Sequence, residues 1–133
     1  MILLDTHVLI WFAEDNPHLG KRAVQLTDAA LQRDEVAVSA ISFWEITMLV
    51  EKRRLYLDVT PTAMRRRVLE QGIREVALSG PIGIAAAQLT GFHGDPADRM
   101  IVATALSIGA ELLTADDHIL RWREPLTRHD ARR

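Results

Sequence analysis

The chain has no cysteine, which excludes disulfides, thiolate zinc sites and a cysteine nucleophile. That absence also fits a reducing compartment, so cytoplasmic residence is the expectation. Aromatic residues supply only 5% of the composition, too little for an extensive platform on which nucleobases stack. Long apolar runs are missing as well. The most apolar late stretch, Val76 to Phe92, is interrupted by Ser79, Gly80, Pro81 and Gly83 and contains Gln88, making it a poor bilayer span. The first residues, MILLD, run directly into an apparent strand, without the basic, apolar and cleavage regions of a secretory signal. A protein with no membrane partner, its fold starting at Met1, is expected.

What is present suits one domain. With 133 residues and 48% apolar content, the chain can enclose a core but is short for two ordinary units. Apolar strand-like runs at Met1–Leu4, Val36–Ser39, Val76–Leu78 and Glu111–Thr114 alternate with helical patterns. The helices are expected over His7–Ala13, Gly20–Gln32, Ser42–Lys52, from Pro61 to near Gly72, then over Ile82–Leu89, Pro96–Ile108 and His118–Trp122. Strands too apolar to have a wet face, separated by helices, imply an α/β fold: a mainly parallel central sheet with helices on both sides. One domain over residues 1–123 is expected, followed by a polar tail, 124–133, that frays. No internal repeat, low-complexity segment or interdomain linker is visible.

A net charge of −2 conceals two basic runs, Lys52-Arg53-Arg54 and Arg65-Arg66-Arg67, so a nucleic-acid substrate is not excluded. Three successive arginines cannot share one helix side, since neighbours are about 100° apart. A solvated surface is the simpler reading of the second run.

Four acids, Asp5, Glu45, Asp98 and Asp116, stand where strand-like runs give way to helical ones. Ligands of parallel sheets bind beyond the carboxyl ends of the strands, where connections diverge. Each acid alone has an ordinary explanation. Ser42 to Glu45 matches a capping-box spacing; Asp95, Pro96 and Asp98 fit N-cap, N1 and N3; Asp5 and Asp116 or Asp117 can cap the helices that follow. Capping, however, also accepts Ser, Thr or Asn. Four carboxylates gathered together are better explained by hard cations, because two unit charges about 5 Å apart repel by roughly 3 kcal/mol at an effective dielectric near 20. His7 and His93 flank these acids, yet for both a partner in backbone or solvent is the simpler reading.

Four fragments in this order resemble the PIN-domain ribonucleases, particularly the VapC-type toxins of toxin–antitoxin pairs: LLDTHVLIW at Leu3–Trp11, VSAISFWEI at Val38–Ile46, GDPADRMIVATAL at Gly94–Leu106, and LLTADDHI at Leu112–Ile119. The resemblance implies a three-layer αβα PIN-like fold. It implies Asp5, Glu45 and Asp98 as the principal metal-site acids and Asp116 as the fourth, with Thr6 and Thr114 in support. Asp95 is the rival of Asp98, and Asp117 that of Asp116. The closing WREPLTRHDARR shows less of the family pattern.

In the implied reaction one or two Mg²⁺ or Mn²⁺ ions serve hydrolysis of RNA, leaving a 5′-phosphate and a 3′-hydroxyl. Implied partners are a VapB-type antitoxin, which obstructs the pocket with a basic side chain, and a second copy in a homodimer. Direct DNA readout is not expected of this chain. The apolar circumference of the Glu45 helix agrees with extensive covering. Two other readings compete: a receiver-like phosphoacceptor signalling domain, and a PIN-like protein-binding scaffold without catalysis. Asp5 is followed by Thr6 rather than a second acid, and neither lysine, Lys21 or Lys52, follows the last expected strand, so the signalling motif fits poorly.

Overall fold

Side chains alternate across a strand, and three apolar runs use that alternation to feed two separate cores. In the computed structural model, which describes residues 1–92 and 94–133, β1 (Ile2–Leu4), β2 (Val36–Ser39) and β4 (Glu111–Thr114) lie side by side. Ile2, Leu4, Val36, Val38 and Leu113 enter one cluster; Leu3, Ala37 and Leu112 enter the other. β3 (Arg74–Val76) and β5 (Arg128–Asp130) complete the order β3-β2-β1-β4-β5, and every pairing is parallel. Apolar residues on both faces are what a parallel sheet covered by helices requires.

The first face is covered by α1 (Thr6–Ala13), α2 (Lys21–Gln32) and α4 (Pro61–Glu70), through Val8, Leu9, Ala23, Met64 and Val68. The second is covered by α6 (Pro96–Ile108), through Ile101, Val102 and Ala105, and by Ile119 of α7 (Asp117–Arg121). α5 (Gly80–Gln88) packs outside α6, where Ile82 and Ala86 meet Ala103. α3 (Ile41–Glu51) touches both layers, with Ile46 in the first core and Ile41 against the second. The three-layer expectation is met. Among the described residues, no helix is long and apolar enough to cross a membrane.

Two expectations need correction. The third strand is Arg74–Val76 rather than Val76–Leu78, and Leu78 is exposed. It is an edge strand paired only with β2, so its polar residues are tolerated and find partners: Arg74 with Asp34, Glu75 with Arg65. The segment 124–133 does not fray as expected, because Arg128–Asp130 pairs with β4 and Ala131 is fully buried. Gly20 permits this docking. Its N–H donates to the Ala131 carbonyl, and a Cβ there would stand 2.1 Å from the Arg133 carbonyl carbon.

Candidate metal centre

The chain leaves β1 toward β2 and later crosses back to β4 on the other side, so the carboxyl ends of β1 and β4 flank a switch point. Asp5 follows β1 directly. It caps α1, Oδ1 accepting from the Thr6 N–H at 2.8 Å, while Oδ2 accepts from the Thr114 hydroxyl at 2.6 Å. Both carboxylate oxygens are thus fixed by neighbours on α1 and β4. Burial, the dominant influence, raises the Asp5 pKa; the Thr114 and Thr6 hydrogen bonds and His7 oppose it, and Asp116 adds to it.

Asp116, two residues beyond β4, caps α7 by accepting from the His118 N–H at 2.7 Å, and its own N–H donates to Thr114 Oγ1 at 3.0 Å. Thr114 therefore touches two acids. Asp117 turns elsewhere, 2.9 Å from Arg132 and 3.8 Å from Arg121.

Glu45 arrives on α3. The capping-box reading fails here, because α3 begins at Ile41 after Ala40 and Ser42 already lies inside the helix. Thr6 Oγ1 instead sits 2.5 Å from Glu45 Oε1 and 2.9 Å from Ser42 Oγ. A hydroxyl has one proton; with that proton directed to the carboxylate, Ser42 donates to Thr6. Burial raises the Glu45 pKa, the Thr6 bond lowers it, and Asp5 and Asp95 raise it further.

At the start of α6, Asp95 is the N-cap, Pro96 opens the first turn, and Asp98 donates its N–H to Asp95 Oδ1 at 2.9 Å. Capping and convergence coincide. Oxygens of Glu45, Asp95 and Asp98 all lie within 4.8 Å of one another. An open pocket of about 400 Å³ is lined by these three with Asp5, Asp116, His7, Trp11 and Ala115. The Asp98 carboxyl is pushed up to about 8, first by burial and then by Asp95, Asp5, Asp116 and Glu45. Such crowding, with oxygen donors only, suits a hard divalent cation, and Glu45, Asp95 and Asp98 are the side chains best spaced to hold one.

Asp95 is the residue that sequence reasoning set aside; its N-cap role hid the fact that the same side chain can also face Glu45. Arg99 follows Asp98 directly but forms no ion pair with a carboxylate among the described residues. Its guanidinium donates to the carbonyls of Ala86, Ala87, Leu89 and Phe92, tying the end of α5 to the start of α6. His7 is exposed on the pocket wall, and His93 lies outside the described residues. A larger cavity of about 520 Å³ also borders Trp11, lined mainly by α1, α2 and the intervening turn, but the acids do not cluster there.

The family model described as "PIN domain" matches residues 2–124. Ribonuclease VapC22 of Mycobacterium tuberculosis is 36% identical over 125 residues, covering 93% of both chains. Among solved structures, VapBC2 from Rickettsia felis bound to a promoter DNA fragment aligns with TM-score 0.73 at 17% identity, over 97% of this chain and 98% of that one. DNA-bound VapBC from Salmonella typhimurium aligns with TM-score 0.70 at 18% identity, over 97% and 96%. At such identities these two attest the fold. The family model and the mycobacterial relative each span nearly the whole polypeptide, and on that ground the chain belongs to the PIN-domain family, among its VapC-type members.

Proposed function

We propose that this chain is an endoribonuclease that hydrolyses RNA phosphodiesters at divalent cations held in the acid pocket, acting as the toxin of a VapBC-type pair. The observation that carries the reading is the convergence of five carboxylates, from four separated segments, on one open pocket. Kinship with a protein named ribonuclease VapC22 supplies the substrate class. Glu45, Asp95 and Asp98 grip the ion, and Asp5 and Asp116 complete the anionic wall. Thr6 holds Glu45 and Thr114 holds Asp5, so two acids enter the site already oriented. Mg²⁺ is the expected ion, with Mn²⁺ able to substitute. When bound, it supplies positive charge that activates water and steadies the departing oxygen. No imidazole is required as base.

The natural partner in this reading is a VapB-type antitoxin. No lysine or arginine lines the pocket among the described residues, so a basic side chain from outside has a complementary place to enter. Promoter DNA contact is assigned to the antitoxin. Trp44 on α3 and Ile84 on α5, both more than half exposed, are offered as part of a homodimer face. Cytoplasmic action follows from the substrate.

Cleavage of total cellular RNA by wild type, Asp5→Asn and Asp98→Asn, with Mg²⁺, Mn²⁺ or chelator and sequencing of new 5′ ends, tests the proposal. Wild type should give metal-dependent 5′-phosphate ends, and each variant should lose more than about a hundredfold in rate while staying folded, since losing even outer-shell partners costs about 10–100-fold. Equal rates in all three would refute it. Acyl-phosphate formation from a phosphodonor without RNA cleavage would favour the signalling reading.

A further inference from the structure

The basic run at the end of α3 plays no part in the acid pocket. Among the described residues, five helices end with a residue in the left-handed region followed by a return of the chain. At Asp15, Asp34, Gly72 and Gly109 that residue is aspartate or glycine, types that tolerate the conformation; after α3 it is Arg53, with φ 58°. The motif itself is regular: Arg53 N–H donates to the Val50 carbonyl and Arg54 N–H to that of Leu49. Arginine is therefore held where glycine would be cheaper, which points to the side chain rather than the turn. Lys52, Arg53 and Arg54 are all exposed, and none has an ion-pair partner among the described residues.

Next to them, Leu55 and Leu57 pack against the core, and Tyr56 between them is 85% exposed. Helix-dipole complementarity accounts for a cation after α3 but not for a bare tyrosine beside three of them. Lys52 follows Glu45 by seven residues, about 20° short of two helical turns, so it lies on nearly the same side of α3 about 10 Å further along.

Resting on the ribonuclease reading, we propose that Lys52–Tyr56 is a second grip on the RNA strand, outside the acid pocket. Lys52, Arg53 and Arg54 take backbone phosphates and Tyr56 stacks on a base. Phosphate charge and a π-face are the two things a single strand offers everywhere, and this turn supplies the complement of both. The grip sets affinity and strand direction along α3. It leaves the chemistry to the acids.

The test uses the full chain with two substrates: a single-stranded RNA long enough to reach from pocket to turn, and a dinucleotide that fills the pocket alone. For Lys52→Ser/Arg53→Gly/Arg54→Ser, KM for the long RNA should rise at least about tenfold with kcat unchanged. The slope of log KM against log salt should shrink by about 2, at roughly 0.7 per lost single-strand phosphate contact. Tyr56→Ala should raise KM about tenfold, within the range of one lost stack, and Tyr56→Phe should restore it. Dinucleotide turnover should stay unchanged throughout. Unaltered KM and salt slope, or equal losses on both substrates, would overturn the grip, as would lost binding of a polyglutamate probe with RNA affinity intact. Fluorescence anisotropy of labelled long RNA in chelator separates the two readings. A wild type that binds RNA through the turn yet cleaves none refutes the nuclease alone, and one that neither binds nor cleaves refutes both.

Discussion

Asp5 and Asp98 face the same pocket from opposite situations. Asp5 is buried just past a central strand, and its oxygens receive hydrogen bonds from the first residue of α1 and the last residue of β4. Asp98 stands in the first turn of a helix beside Asp95, with four acids raising its pKa on top of burial. One acid is held by the fold whether or not a cation is present. The other is the place where the fold accumulates negative charge faster than it offsets it. Rigid placement and electrostatic need are thus divided between two residues rather than combined in one.

The strongest way to break that contrast is to remove the hydroxyl that anchors Asp5. Thr114→Val deletes the donor to Asp5 Oδ2 and the acceptor of the Asp116 N–H. Cleavage should fall about 10–100-fold through misoriented acids. Stability should drop by about 1–3 kcal/mol in a urea melt, because a buried polar group loses its partner. A variant as active and stable as wild type would mean that Asp5 needs no anchoring.

Asp98 should reveal itself through pH. Its pKa is near 8 in the folded chain against 3.8 ordinarily, so without metal the folded state binds the extra proton between those values. Stability from this group is complete at the acid end and is lost as pH rises through about 8; the raised Asp5 and Glu45 carboxyls act in the same direction. Thermal melts in chelator should therefore show a falling Tm toward alkaline pH. Asp98→Asn should flatten that fall and raise Tm at pH 8. Mg²⁺ should stabilise wild type more than the variant, by mass action on the folded state. A Tm that climbs with pH would contradict the assignment.

The smallest effect belongs to Arg99, which sharpens the comparison by testing what places the Asp98 turn. Arg99→Lys keeps the charge but loses the planar fork that reaches four carbonyls. A loss of about 1–2 kcal/mol is expected, with faster amide exchange at the end of α5. Unchanged exchange there would show that Arg99 is dispensable to the α5–α6 junction.

Much of this was legible in the chain because buried strands announce themselves. Leu3, Leu4, Val36, Val38, Leu112 and Leu113 are apolar without interruption, and the acids that follow sit where parallel sheets place ligands. Edge strands give no such signal. Arg74-Glu75-Val76 and Arg128-His129-Asp130 are polar because each pairs on one side only, so one was displaced in the reading and the other passed for a tail. Capping and cation chemistry call for the same residue types at the same helical positions. That degeneracy left Asp95 as a rival of Asp98 rather than its companion, and the approach of α3 to α6 brings Glu45 to both. The contacts of Arg99 were not legible in the chain, because carbonyls, its partners, leave no trace in side-chain spelling.

The α5–α6 tie has a bearing on order of assembly. With Arg99 committed to backbone oxygens and no lysine or arginine on the pocket wall among the described residues, no basic side chain of the wall offsets the acids at the mouth. Such a wall repels a polyanion that approaches without a cation, whereas a small cation is drawn in. In the proposed ribonuclease reading, this wall favours arrival of the ion before the strand.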